Sequence, residues 1–198
     1  MAMDSRRRIL DALRAAAPPA PHAPDLSGVG VRFDDPVAKL ADAVAAVAGK
    51  LVRVADAAAL RAAVAALAAE LGAARVASAV DGVAGNVELS QVQDPHALEG
   101  IGLAVLPGAF AVAENGAVWV RGDGLRPRGV FVIAEHLALV VGATEIVHDM
   151  HEAYRRLSFP GAGFGTFIAG PSKTADIEQA LVIGAHGARS CTVFLVGP

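Results

Sequence analysis

With 198 residues and a formal net charge of -3, the chain suits one domain that buries roughly 70% of its unfolded surface, and it offers no basic field for nucleic acid. The single cysteine, Cys191, excludes an internal disulfide, a cysteine zinc site and an iron–sulfur cluster held by this chain alone. Hydrophobic residues make up 54% of the sequence, but much of that is alanine, and charged residues or glycine break the apolar runs well before the ~18 residues of a membrane helix. Asp11 and Arg14 likewise interrupt the segment after Arg6-Arg7-Arg8, leaving no signal-peptide core, so a reducing, cytoplasmic setting is expected.

Residues 5–17 read as a helix, with Ile9, Leu10 and Leu13 on one face, Ser5 as N-cap and Pro18-Pro19 as the stop. A Pro- and Gly-rich linker follows, so residues 1–35 form an appendage that can pack on the domain, on a second copy or on a partner. Residues 36–198 form the α/β domain. In it Val37, Leu40, Ala41, Val44 and Val47 make a helical stripe, residues 51–54 a strand, Leu60, Val64, Leu67 and Leu71 a second stripe, and residues 75–77 a strand. This βαβ rhythm predicts a mainly parallel sheet with helices on both faces. Residues 81–102 read as loop with short elements. Four β runs follow at 103–106, 117–120, 130–133 and 137–141, then a helix over 145–157, a strand at 166–169, a helix from about 174 to 184 and a closing strand at 191–196.

Three groups of residues carry chemistry. Gly170-Pro171 supplies a tight reversal between the strand at 166–169 and the helix expected after it. Ser172 or Thr174 then caps that helix, and Asp176 and Glu178 gain about 0.3–1 kcal/mol each from its dipole. Unpaired N–H groups at the same helix start suit a phosphate or carboxylate. Two nearby acids fit such a site only if Asp176 points away, orients a neighbour or receives the ligand's hydroxyl or amine. Ala113-Glu114-Asn115-Gly116 is either a hairpin turn, for which Asn-Gly is a strong signal, or an exposed carboxylate acting as base or nucleophile. The histidines form the third group. His136 lies between strands, and His186 in Gly184-Ala185-His186-Gly187 either satisfies carbonyls at a helix end or joins Asp176 and Glu114 in an acid–base cluster. His148, His151 and Glu152 lack a distant third ligand, so no metal site is assigned.

With Gly170-Pro171-Ser172-Lys173-Thr174-Ala175-Asp176-Ile177-Glu178 followed by Gly184-Ala185-His186-Gly187, the chain resembles the LUD-domain proteins of the LutC/YkgG lactate-utilisation branch. That family's Ala-Glu-Thr-Gly-Thr turn aligns with Ala113-Glu114-Asn115-Gly116-Ala117, both threonines being replaced, and its Pro-x-His segment with Ala134-Glu135-His136, which lacks the proline. The resemblance implies a three-layer α/β/α fold like that of the NagB, ribose-5-phosphate isomerase and CoA-transferase superfamily. It also implies a part in oxidising L-lactate to pyruvate beside iron–sulfur partner subunits that carry the clusters.

On these readings the candidate catalytic residues are Glu114, His136, Asp176 and His186. The candidate ligand-binding residues are Asn115, Gly116, Gly170, Pro171, Ser172, Thr174, Glu178 and Gly187. Three functions compete: a lactate-oxidation subunit that binds a small carboxylate or a partner there, a stand-alone CoA-transferase-like or sugar-phosphate enzyme using Glu114, and a scaffolding module that keeps the turn for structure. The chain itself is expected to bind no cofactor and to form homo-oligomers if its N-terminal helix exchanges between copies.

Overall fold

A computed structural model describes residues 2–19, 22, 24–26, 28–123, 125, 127–158, 163–176 and 179–197. The elements run α1 (Ala2–Ala15), α2 (Pro36–Ala46), β1 (Lys50–Val54), α3 (Ala57–Glu70), β2 (Val76–Ser78), two 3-10 turns, β3 (Leu103–Val112), β4 (Val118–Arg121) and α4 (Val130–Ile133). After these come β5 (His136–Gly142), β6 (Ile146–Val147), α5 (Met150–Arg156), β7 (Gly165–Ile168), β8 (Lys173–Thr174), β9 (Val182–Ile183) and β10 (Ser190–Val196).

An eight-stranded sheet has the order β1-β10-β5-β3-β4-β7, with β2 and β6 also paired to β3. The pairings β1–β10, β10–β5, β5–β3, β2–β3 and β6–β3 are parallel, whereas β4 is antiparallel to both β3 and β7. The pleat sends alternate residues to opposite faces. Leu137, Leu139, Cys191 and Val193 meet Leu40 and Val44 of α2, while Ala138, Phe194, Leu103 and Val105 meet Leu60 and Val64 of α3. Helices thus cover both faces, giving an α/β fold with a mostly parallel sheet. Both helices start on an aspartate: Asp35 accepts from the Ala38 N–H at 2.9 Å and Asp56 from the Ala59 N–H at 2.8 Å. Because alanine buries little area, Leu and Val anchor them, at about 1.5–3 kcal/mol for each fully buried side chain.

Strand β3 spans ten residues and changes neighbours part way along. Its first half lies between β2 and β5, its second between β4 and β6. Pro107, which has no N–H to give, and a register shift between Gly108 and Phe110 mark the change.

Four elements depart from the sequence expectation. Helix α1 begins at Ala2, so Ser5 is interior to it and caps nothing. Residues 130–133 form a helical turn, not a strand: Val130 and Phe131 are buried while Val132 and Ile133 are exposed, which is not the alternation a strand requires. The helix expected over 145–157 starts only at Met150, capped by Asp149, and Ile146–Val147 before it pair with Ala111–Val112. Most consequentially, the helix expected from 174 to 184 is absent among the described residues, and Lys173–Thr174 pair antiparallel with Val182–Ile183. Gln179 adopts a left-handed φ of 57° there, and Val182 and Ile183 prefer extended backbone. Ser172 and Thr174 therefore cap no helix, and no dipole acts on Asp176; Ile177 and Glu178 lie outside the described residues.

The hairpin reading of Glu114-Asn115-Gly116 agrees with the structure. Gly116 has φ 73°, the Val112 N–H donates to the Ala117 carbonyl at 2.8 Å, and the Ala117 N–H donates to Asn115 Oδ1 at 3.0 Å. A Cβ on Gly116 would lie 2.8 Å from the Val44 nitrogen and 2.9 Å from the Ala43 carbonyl carbon, both backbone atoms of α2. Gly116→Ala is therefore expected to destabilise the fold by about 1–3 kcal/mol, read as a shifted urea midpoint with unchanged slope.

Candidate functional site

Two segments distant in sequence are laced together at the amino ends of β5 and β10. The Ser172 N–H donates to the Ala188 carbonyl at 2.8 Å, and the Gly184 N–H donates to the Ser172 carbonyl at 2.9 Å. Gly170, with φ 72°, abuts the Val47 carbonyl oxygen at the end of α2, where a side chain would collide. A Cβ on Gly187 would lie 3.2 Å from Ser172 Cβ, so this glycine lets the two segments close.

Between them lies a cavity of about 360 Å³. Its apolar wall includes Phe131, Leu137 and Ile168, and its polar lining includes Ser172, Lys173 and His186. Lys173 Nζ donates to the Val47 carbonyl at 2.8 Å and to the Pro171 carbonyl at 3.1 Å. An ammonium has three donors, so one is left over, and no carboxylate pairs with this charge among the described residues. Cys191 is buried in the core cluster that also holds Leu137 and Ala188 of the cavity wall. Burial pushes its thiol up to about 12, with Lys173 opposing, so at neutral pH it is a protonated thiol and not a nucleophile.

Of the residues singled out from sequence, Gly170, Pro171, Ser172, His186 and Gly187 line this cavity. His136 does not, because the pleat points Leu137 into the cavity and turns His136 to the α3 face, beside Leu103 and Ser190. There His136 Nδ1 lies 2.7 Å from Ser190 Oγ. Burial pushes the ring's pKa below its ordinary value, with Glu135 opposing and Arg189 acting in the same direction as burial.

Glu114 is also elsewhere: its Oε2 accepts from the Met150 N–H at 3.0 Å, and its own N–H donates to the His148 carbonyl at 3.0 Å. Asn115 and Gly116 belong to that corner. Asp176 is exposed near the end of the β8–β9 ribbon, where its N–H donates to Thr174 Oγ1 at 3.3 Å. The single cluster of Glu114, His136, Asp176 and His186 is thus not formed. Sequence reasoning passed over Lys173, although it is the one cation within residues 170–178, and Ser190, for which the sequence holds no signal without the strand register.

A further hollow of about 560 Å³ lies under residues 28–32. Its buried Asp149 has both oxygens engaged, accepting from the Val31 N–H at 2.6 Å and the Glu152 N–H at 2.8 Å. The Glu152 bond chiefly, and the Val31 bond after it, hold this carboxyl below the usual carboxylate value against burial. His148 Nδ1 accepts from the Phe33 N–H at 3.0 Å. These groups fasten the end of the N-terminal linker, and Arg32 and Arg155 also line the hollow.

Residues 101–196 match the LUD domain family, and every residue named here as lining the smaller cavity falls within that span. Among curated relatives, lactate utilization protein C 1 of Bacillus mycoides (strain KBAB4) is 34% identical over 88 residues, covering 39% of this chain and 36% of that protein. Lactate utilization protein C of Halalkalibacterium halodurans is 30% identical over 91 residues, covering 42% of this chain and 40% of that protein. The match thus spans well under half the length of these relatives. A crystal structure of a DUF162 family protein from Deinococcus radiodurans superposes with a TM-score of 0.60 at 18% identity, covering 85% of this chain and 100% of that one. At that identity the likeness is one of fold.

His136 is expected to titrate below 6.5 when followed by NMR. Since its folded pKa lies below its unfolded one, its contribution to stability is complete above pH 6.5 and is lost as pH falls through the folded value. His136→Gln removes that part of the pH dependence of unfolding; a titration at or above 6.5 would contradict the burial argument.

Proposed function

We propose that this chain, whose residues 101–196 belong to the LUD domain family, is a component of an L-lactate utilisation system that holds a small carboxylate in the cavity between residues 170–173 and 186–188. The names of its relatives, lactate utilization protein C, support the first part of this reading. The observation that carries the second is Lys173: an exposed cation with one donor to spare and no acid partner among the described residues, lining a small cavity with an apolar wall. A carboxylate on Nζ forms a charge-assisted bond of about 1.5–3 kcal/mol. A lactate or pyruvate methyl group would suit Phe131 and Leu137, and the α-oxygen would suit the His186 imidazole.

Oxidising lactate releases two electrons, and these need a carrier. An iron–sulfur cluster requires several thiolates, whereas these 198 residues contain one cysteine, which is buried and protonated at neutral pH. The clusters therefore belong on partner subunits, and the role of this chain is to bind and present the acid. No observation favours a stand-alone acyl-transfer enzyme built on Glu114, whose carboxylate holds the Met150 N–H.

Calorimetric titration with L-lactate and with pyruvate tests the binding. Lys173→Met is expected to weaken it by about tenfold to a hundredfold, while Lys173→Arg retains part of it. Deletion of the gene should abolish growth on L-lactate, and pull-down of the tagged protein should recover iron–sulfur proteins. An intact protein that binds neither acid rules out the cavity assignment, and normal growth on lactate after deletion rules out the role.

A further inference from the structure

Helix α1 carries an apolar stripe that stands in solvent. Ile9 is 61% exposed and Leu13 63% exposed, and Leu10 beside them is half-buried. At about 100° per residue these three fall within an arc of about 100°, and Asp4 and Asp11 lie together roughly opposite Leu13. Arg7 and Arg14 come between Leu10 and the acids, and Arg8 lies on the other flank, between the acids and Ile9. Arg7 and Arg14 also approach Asp11, at 3.9 and 2.9 Å, and so offset its charge. Four arginines against two aspartates give α1 a net charge of +2, in a chain whose total is -3.

The order around the helix, apolar stripe, then arginines at its borders, then acids farthest away, complements an anionic lipid surface. A helix lying in the plane of a bilayer sinks its apolar face to the boundary of headgroups and acyl chains, where arginines at the borders meet phosphates and acids on the far side stay in water. Arg6 falls inside the stripe, between Leu13 and Leu10, and its neighbours one turn away are Ala2, Met3, Ile9 and Leu10, so no acid on the helix reaches it. At a lipid boundary its stem lies along the apolar surface while the guanidinium reaches a phosphate. A dry protein groove would have to bury a carboxylate for it. Nucleic acid supplies phosphates but leaves Ile9 and Leu13 in water.

We propose that α1 docks on the surface of an anionic lipid bilayer, with Ile9, Leu10 and Leu13 at the acyl boundary and Arg6, Arg7, Arg8 and Arg14 on lipid phosphates. The 14 residues of α1 span about 21 Å, short of the ~30 Å hydrocarbon core. Among the described residues no helix is long and apolar enough to cross a membrane, so α1 lies on the surface and not through it. Three large apolar side chains and four guanidiniums make this a reversible attachment that depends on lipid charge. It does not depend on what the cavity lined by Lys173 binds.

Co-sedimentation of the full chain with vesicles tests this. Mixed phosphatidylglycerol and phosphatidylcholine vesicles are expected to carry it down, and phosphatidylcholine vesicles to leave it in solution. Raising salt from about 0.05 to about 0.5 M should release most of what is bound. Leu13→Asp should lower the partition coefficient at least about tenfold, and Arg8→Glu with Arg14→Glu by a similar factor, each with an unchanged melting curve because these positions are exposed. Leu13→Trp keeps the stripe apolar and reports on it: its emission should shift to the blue on the anionic vesicles, over the constant signal of Trp119, the single native tryptophan, which is buried. The same blue shift without lipid would place α1 on protein, its own chain or a second copy, and overturn the proposal. No binding to anionic vesicles, equal binding to both kinds, or binding indifferent to Leu13→Asp would overturn it too.

Discussion

At Pro107 the ladder of β3 loses a donor, and the strand that begins as the centre of a parallel sheet continues as the spine of a second, partly antiparallel one. Because β4 turns back along the far half of β3, and β7 back along β4, the chain leaving β7 emerges against the end of α2, with Gly170 on the Val47 carbonyl. By that route Gly170–Lys173 come within reach of His186–Ala188, and the cavity lies between them.

What stabilises the meeting is backbone hydrogen bonding between irregular segments, not helix packing. Two N–H to carbonyl bonds, at 2.8 and 2.9 Å, stitch Ser172 to Ala188 and Gly184. Lys173 adds two more through its ammonium, satisfying carbonyls that a loop would otherwise leave to water. The same side chain thus closes the loop and supplies the cavity's positive charge. Structure and chemistry cannot be separated at Lys173 by one substitution, and retention of function by arginine is informative for that reason.

Sequence patterns revealed the parts of this fold that local chemistry decides. The buried runs at 103–106, 137–141 and 191–196, the two aspartate-led helices and the Asn115-Gly116 hairpin all carry their own signals. Where alanine and short apolar runs dominate, periodicity was a poor guide: Ile177, Ala180, Leu181 and Gly184 mimic a helix, yet Val182 and Ile183 pair with Lys173 and Thr174 as a ribbon. The candidate site is half legible, since Gly170 and Ser172 of the run 170–178 and His186 of the motif 184–187 do line one cavity. His136 was not, because a histidine's face depends on strand register, and a shift of one residue exchanges the two faces.

The position of the cavity bears on its chemistry. Open α/β sheets usually hold ligands beyond the carboxyl ends of their strands, where helix N-termini supply positive potential. A hollow of about 460 Å³ does lie where β2 and β4 part along β3, but Arg121 and Asp123 there pair with each other and largely neutralise the local field. At the amino ends of β5 and β10, among the described residues, no helix starts after Thr174, because Lys173–Thr174 pair with Val182–Ile183 as a ribbon. An anion held at that end must depend on side-chain charge, and Lys173 is the cation that lines the cavity without a carboxylate partner among the described residues. On the proposed reading a second carboxylate would go unsatisfied there, because the lining offers one spare ammonium donor beside an apolar wall.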